Sequence, residues 1–468
     1  MITDLKPYPA MKDSGVPWLG EVPEHWQVRR LKHICRFNYG DSLPTETRHC
    51  GEVPVFGSNG RVGSHVSSNT KAPCIVIGRK GSFGKVNFSA EPVFAIDTTF
   101  YVDGRITAAD VRWLSFLLSW LRLDEVSKDS AVPGLDREDA YRRMAAYPAE
   151  RSEQSAIVRF LEHADRRIRR YIRAKQKLIK LLEEQKQATI HRAVTRGLPS
   201  TGSAGSPQAG SGQAMPNVRL KPSGVEWLGD MPEHWEVRRN GRLFKQRNET
   251  GFGDLPILEV SLRTGVQVRD LGNPDRKQVM TDREKYKRSR AGDIAYNMMR
   301  MWQGAVGVAP VDGLVSPAYV VATPLLGTDP RYFAQLFRTS EYKAEVDGYS
   351  RGIVKDRNRL YWEDFKRMPS CYPPPSEQTA IADAIVRLTR EVDTTADKVR
   401  CEIALLREYR TRLIADVVTG KLDVRAAAVK LPEETDEPEP LDGAEAFAEG
   451  DEETEDADPA AVPEEAEA

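Results

Sequence analysis

The sequence predicts an α+β protein: two β-rich domains joined by two long coiled-coil helices, arranged as a pseudo-twofold tandem repeat. Three observations carry this. Two segments, Ser152 to about Thr195 and Ser376 to about Thr419, keep a heptad of apolar residues with no Pro or Gly inside. Each is preceded by short β-branched runs punctuated by Gly, Ser and Asn. Both halves also open on nearly the same words, SGVPWLGEVPEHWQVRR at 14–30 and SGVEWLGDMPEHWEVRR at 223–239.

In chain order, residues 1–150 form the first β-rich domain, with strand runs APCIVIG and PVFAIDTTFYV and a buried helix at WLSFLLSWL, 113–121. Residues 151–198 are the first long helix, opening on RSEQSAIVRFL. A serine suited to capping precedes a Glu-Gln pair that sets negative charge in the first turn. Its predicted seam runs through Ile157, Leu161, Ala164, Ile168, Tyr171, Leu178 and Leu182, with weak positions at Lys175 and Gln185. Residues 199–216, PSTGSAGSPQAGSGQAMP, read as a flexible linker. Residues 217–375 form the second domain, with strands LPILEVS, GAVGVAPV and AYVVATP and a helix near 331–347. Residues 376–424 are the second long helix, whose seam is predicted at Ile381, Ile385, Leu388, Val392, Thr395 and Leu406, with Ile403 beside Glu402. The opening motifs repeat at 209 residues and the helices at 224, so the second domain is 15 residues longer. Similarity fades quickly between the two, so the frame is duplicated and the interiors are not. At about 1.5 Å per residue each helix spans on the order of 60 Å, the dimension of a spacer.

Charge is unevenly placed. The net charge of −1 conceals a tail, residues 425–468, with 17 acidic residues from Glu433 to Glu467 and no Lys or Arg after Lys430. Without those acids, 68 basic face 52 acidic side chains, and a body of about +16 suits a polyanionic partner. The tail's composition predicts disorder. Five scattered cysteines without a CxxC pair point to reduced thiols in a cytoplasm. No leader pattern opens the chain, and the run at 113–121 is too short for a bilayer, so no membrane is expected.

The loop GRKGSFGK at 78–85 fails a Walker A pattern at Arg79, where glycine is needed, and at Val86, where Ser or Thr is needed. It reads better as a backbone approach to a polyanion with Arg79, Lys80, Ser82 and Lys85, or as a plain glycine-rich turn. FGSNGRVGSH adds Ser58, Asn59 and Arg61, side chains able to pair with base edges, although SNG equally suits a hairpin. In the second domain the candidates are Arg263; Asn297, Arg300 and Gln303 in GDIAYNMMRMWQGAVG; and Arg351, Lys355, Arg357 and Asn358 in SRGIVKDRNRLYW. Tyr349, Tyr361 and Trp362 around the last run favour nucleic acid over a merely solvated face. Catalytic signatures fail: YPPP at 372–375 lacks the Asn or Asp that begins an amino-methyltransferase box. Pro274-Asp275 with Glu341-Tyr342-Lys343 mimics a nuclease set only superficially, and His33, Cys35, His49 and Cys50 lack finger-type zinc spacing. The Trp and Pro of the repeated opening read as packing anchors at each domain entrance.

Taken together, the duplicated SGVxWLGxxPEHWxVRR, the SEQxAI helix starts and the helix exits AVTRGL and VVTGKL resemble the specificity subunit of type I restriction–modification systems, the HsdS family. The resemblance covers the chain to about residue 424, without the linker, and gives the tail no role. It implies two target-recognition domains, each reading half of a split, asymmetric DNA target, on helices that pair antiparallel and set the gap. Double-stranded DNA is then one partner. Two methyltransferase subunits docked on the helices, and restriction subunits reached through them, are the others. The chain is expected to be non-catalytic and to bind no cofactor, with S-adenosylmethionine, ATP and Mg on the partner subunits. A self-contained DNA-modifying or DNA-cleaving enzyme, or a protein-only coiled-coil adaptor, are the competing readings. Turnover by the chain alone would favour the first, and absence of DNA affinity in the assembled complex the second.

Overall fold

Both long helices form where the heptads run, as Arg151–Arg196 and Pro375–Val418. They belong to a computed structural model that describes residues 5–125, 134–198, 219–269, 282–351 and 358–432. The linker at 199–216 and the acidic residues from 433 lie outside the described residues. The chain divides into two compact units, one running up to Lys177 and resuming at Val399, the other spanning Leu178–Lys398. Each unit therefore holds one β-rich head, the start of one long helix and the end of the other.

In the first unit the helices pair antiparallel, because partner numbers fall as the first helix rises. Asp165 meets Arg410 and Lys175 meets Glu402 in the first unit. In the second, Lys186 Nζ donates to Asp393 Oδ1 at 2.6 Å. The seam differs from the predicted one at four named positions. Tyr171 is 53%, Leu178 41% and Leu388 45% exposed, and Thr395 is exposed as well. The less exposed positions run instead through Ile172, Lys175, Ile179, Leu182 and Lys186 on the first helix. On the second they are Ile385, Thr389, Val392, Ala396, Val399, Ile403 and Leu406. An α-helix turns 3.6 residues while a heptad assumes 3.5, so a seam of mixed composition drifts and takes a neighbouring polar residue in place of a leucine. Ile157, Leu161, Ile168, Ile381 and Ile385 are buried as expected.

The two heads share one sheet topology despite their unlike sequences. In the first, β1 (Asn38–Tyr39), β2 (Cys74–Gly78), β3 (Val86–Ser89) and β4 (Thr99–Asp103) pair in the order β1-β4-β2-β3. In the second, β5 (Phe244–Arg247), β6 (Ile294–Asn297), β7 (Val306–Val308) and β8 (Tyr319–Pro324) pair as β5-β8-β6-β7, the same order. The period of two sends Ile75 and Ile77 towards the buried helix Val111–Trp120, and Cys74 and Val76 into a second small cluster with Val93 and Ala95. Ile294 and Tyr296 likewise face the helix Pro330–Phe337, while Ala295 packs with Leu258 and Val266. The predicted helix near 331–347 is two helices, Pro330–Phe337 and Ser340–Tyr349, because the Thr339 side chain caps the second by accepting from Tyr342 N–H. Among the described residues no helix is long and apolar enough to cross a membrane.

The repeated words close each head onto its helices. Gln27–Arg30 pairs antiparallel with Met144–Tyr147, the strand leading into the first long helix, and Glu236–Arg239 pairs the same way with Pro369–Tyr372. The helices begin one residue before the serines, so the acid and amide sit inside the first turn. Buried Glu153 accepts from Tyr8 Oη at 2.8 Å and Trp26 Nε1 at 3.0 Å, and His25 Nε2 lies 2.9 Å from its other oxygen. In the second copy His234 Nε2 lies 2.9 Å from Glu377. The glutamines reach the head helices: Gln154 Oε1 accepts from Asp110 N–H at 2.6 Å and Gln378 Oε1 from Asp329 N–H at 2.8 Å. Asp110 and Asp329 are the N-caps of those helices. Each anchoring Trp also meets the glycine after the opposite long helix. A Cβ on Gly420 would fall 2.4 Å from Pro23 Cδ and 3.1 Å from Trp26, and one on Gly197 3.4 Å from Trp235.

Candidate nucleic-acid interface

In the first head the loop Gly78–Lys85 joins two antiparallel strands, β2 and β3, so no helix follows its glycines and the phosphate-loop geometry is excluded. Gly81 and Gly84 take left-handed φ values of 72° and 74°, and a Cβ on Gly84 would fall 2.1 Å from the Asp124 backbone N. The folded-back loop rests on the 58–61 turn. Lys85 Nζ donates to Asn59 Oδ1 at 2.8 Å, and the Thr98 carbonyl accepts from both Ser58 Oγ (2.8 Å) and Arg79 N–H (2.9 Å). The two stretches, twenty residues apart in sequence, thus form one surface. Asn59, Arg61, Lys80, Ser82 and Lys85 are exposed on it, while Ser58 and Arg79 are half-buried.

Sequence reasoning passed over three residues here. Tyr39, about half exposed at the sheet edge, has the Arg79 guanidinium 5.2 Å and the Arg137 guanidinium 5.1 Å from its ring centre. Arg122, at a left-handed φ of 46°, lines an open cavity with Ser82 and Lys85. Tyr39 carries no motif, and Arg137 and Arg122 are distant in sequence, so only folding brings them to the loop.

In the second head, Arg300 and Gln303 lie on the turn between β6 and β7, half-buried and exposed respectively. Asn297 is a correction: it is 6% exposed, and its Oδ1 accepts from Met299 N–H at 2.9 Å. A buried amide spent on its own turn positions that turn and does not reach a partner. Arg263 is exposed on the hairpin joining Leu258–Ser261 to Gly265–Val268; the Arg338 side chain holds it in place by donating to the Leu262 and Arg263 carbonyls. Burial pushes the Arg338 guanidinium below its usual pKa. Arg351 is exposed and pairs with buried Asp364 at 2.5 Å, and Asn358 Nδ2 donates to Asp347 at 3.3 Å. Lys355 and Arg357 lie outside the described residues. Other arginines of this head serve its own framework: Arg247 bridges Glu249 and Asp293, and Arg288 meets Asp312.

The enzyme-like sets do not assemble among the described residues. Glu341 Oε2 lies 2.9 Å from His191 Nδ1, the Lys343 stem covers Gly304, and Asp275 is outside the described residues. No group of three or more His, Cys, Asp or Glu could hold a metal there. What the heads present is exposed Lys, Arg, Asn and Gln on turns, residue types whose chemistry suits phosphates and base edges.

No sequence-family profile and no curated protein matches the chain. Solved structures do. A chain from a type I R-M system complex, solved for its assembly and conformational transition, superposes with a TM-score of 0.58 at 12% identity, over 86% of this chain and 99% of that one. The type I restriction–modification S subunit of M. genitalium is matched over 84% and 96% at 13% identity (TM-score 0.35), and the HsdS subunit of Thermoanaerobacter tengcongensis over 86% and 98% at 14% identity (TM-score 0.43). At such identities the likeness is one of fold, and the first of them carries it: the chain has the α+β fold of that type I R-M chain along nearly its whole length.

Proposed function

We propose that the chain is the DNA sequence-specificity subunit of a type I restriction–modification complex. One observation carries the reading: two heads with the same strand order and unlike loops, each locked by the same Glu-Gln clamp onto a shared pair of antiparallel helices. A duplicated frame with divergent readers suits a target of two different halves. The loops at 58–61 and 79–85 take one half-site, and those around Arg263, Arg300 and Gln303 take the other. Lys and Arg contacts to phosphates supply affinity, and the turn side chains supply choice of sequence. Two methyltransferase subunits dock on the helical frame and restriction subunits join through them. The chemistry, with S-adenosylmethionine, ATP and Mg, belongs to those partners, and the complex works in the cytoplasm.

The test is to map methylated adenines in cells carrying the methyltransferase subunit with and without this chain. A split, asymmetric methylated motif that depends on the chain is expected, and exchange of residues 31–143 for another head should change one half of it only. Methylation or cleavage by the purified chain alone would overturn the non-catalytic role, and a motif indifferent to the head exchange would overturn the reading.

A further inference from the structure

A guanidinium taken out of water normally meets a carboxylate, because its charge is otherwise costly to bury. Arg338, half-buried in the second head, meets none among the described residues; its side-chain hydrogen bonds there all end on backbone carbonyls. Its Nη2 donates to Leu262 and, at 2.9 Å, to Arg263, both on the tip of the hairpin that joins Leu258–Ser261 to Gly265–Val268. Its Nη1 reaches the Val306 carbonyl at 3.5 Å, where β7 leaves the turn that carries Arg300 and Gln303. One side chain therefore touches two turns that are distant in sequence. The backbones of the two meet beside it. A Cβ on Gly307 would fall 2.5 Å from Val266 N and 2.9 Å from Gly265 Cα, and one on Gly265 3.1 Å from Arg338 Nη1. The base from which Arg338 reaches is fixed as well. It ends the helix Pro330–Phe337, its own N–H donating to the Gln335 carbonyl at 3.2 Å, and Thr339 caps the next helix at once.

We propose that Arg338 is a positioning residue that ties the 262–264 tip to the 298–305 turn, so that exposed Arg263 and Gln303 act on one half-site as a single reader. What the turns read rests on the proposed function; the tie between them does not. The residue type suits the task, since a planar guanidinium donates in two fixed directions at once, whereas an ammonium is a point charge on a flexible stem. Side chains that read base edges must be held to about 0.5 Å by the groups behind them, and a tie anchored between two helices supplies that support. With its donors directed at carbonyls of the head, Arg338 acts through the turns and leaves the phosphates to the exposed cations.

Two measurements test it. In the full chain, Arg338→Gln should lower protection against hydrogen exchange about tenfold in 262–268 and in 304–308 together, with the first head unchanged. A loss confined to one of the two segments, or no loss, would overturn the tie. In the assembled complex, Arg338→Gln should reduce discrimination between bases about tenfold in one half-site only and leave the slope of log affinity against log salt unaltered. A slope smaller by about 1, restored in Arg338→Lys, would make the residue a phosphate contact and overturn the positioning role. Arg338→Lys keeps the charge without the fork, so it should fall between the two in protection and in discrimination; if Arg338→Gln does not fold, the same readings on Arg338→Lys decide the matter. Paired loss of protection in the chain, with no sequence-dependent methylation by the unaltered complex, would count against the proposed function and uphold the tie.

Discussion

The Trp26 indole donates to the buried Glu153 carboxylate at 3.0 Å, whereas its repeat counterpart Trp235, just as buried, has no hydrogen-bond partner for its indole N–H. The same words in the sequence therefore make a tighter lock in one unit than in the other. Glu153 also takes the Tyr8 hydroxyl at 2.8 Å, so Glu153→Ala strands two buried donors. At about 1–3 kcal/mol for each unsatisfied group, the loss should be ~2–6 kcal/mol. Glu377→Ala loses only a half-exposed histidine contact and should cost under ~1 kcal/mol. Urea unfolding followed by tryptophan fluorescence compares them; equal losses would show that the indole bond contributes nothing.

The helical seam makes a second comparison available. Ile179→Gln places an amide in the line of half-buried seam positions and should cost ~1–2 kcal/mol, while Leu178→Gln, one residue earlier and exposed, should stay within about 0.5 kcal/mol. Val392→Gln against Leu388→Gln should repeat the contrast on the other helix. Thermal melts in which Leu178→Gln and Leu388→Gln are the more damaging pair would restore the seam expected from the heptad.

That contrast marks what could be read from the residues. Helix extents were legible to within a residue, because forty-odd positions without Pro or Gly leave little choice. The seam was not, since Lys175 looks like a flaw until Glu402 stands opposite it, and Lys186, opposite Asp393, takes the place where the heptad put Gln185. Strand positions showed in their β-branched runs, but the common strand order of the heads did not, because topology depends on pairings between segments dozens of residues apart. The loops at 58–61 and 79–85 were each visible as donors on turns; their union through Lys85 and Asn59 was not, and Asn297 looked like a reader because sequence does not report burial.

Gly420 ends the second long helix at a left-handed φ of 78°, against Pro23 and Trp26. Gly420→Ala combines backbone strain with a 2.4 Å clash against a proline ring that has no room to turn, and should cost ~2–3 kcal/mol. Gly197→Ala carries the same strain but meets a carboxylate oxygen at 3.1 Å, on a side chain that can shift, so ~1 kcal/mol is expected. Melting temperatures should fall in that order, and an unchanged value for Gly420→Ala would deny the close approach.

The chain's return to Tyr8 should be sensitive to acid. Burial pulls the Asp423 carboxyl upward, but hydrogen bonds from the Arg425 side chain and backbone outweigh it and hold the group below its ordinary range. Arg425 in turn lies 4.8 Å from the centre of the Tyr8 ring. A depressed carboxylate stabilises the folded state fully above its unfolded pKa, near 3.9, and the contribution fades as pH falls through the lower folded value. Protection of residues 420–430 against hydrogen exchange, taken relative to the intrinsic rate at each pH, should therefore be high at pH 6 and fall below about pH 4. Asp423→Asn should show low protection at both; protection unaffected by the substitution would exclude the pair as the lock.

On the proposed function, the exposed turns should separate affinity from choice of sequence. Lys85 is held by Asn59 at the head's surface, and a lysine there meets a phosphate as a point charge. Lys85→Ala in the assembled complex should weaken binding to every duplex alike and reduce the slope of log affinity against log salt by about 1. Gln303, exposed at the tip of the turn that buried Asn297 supports, offers both a donor and an acceptor to a base edge. Gln303→Ala should leave the salt slope alone and cost ~1–3 kcal/mol against the preferred base at one position of one half-site. Competition binding with single-base variants of the methylated motif reads both effects; a uniform loss from Gln303→Ala would move that residue from base reading to phosphate contact.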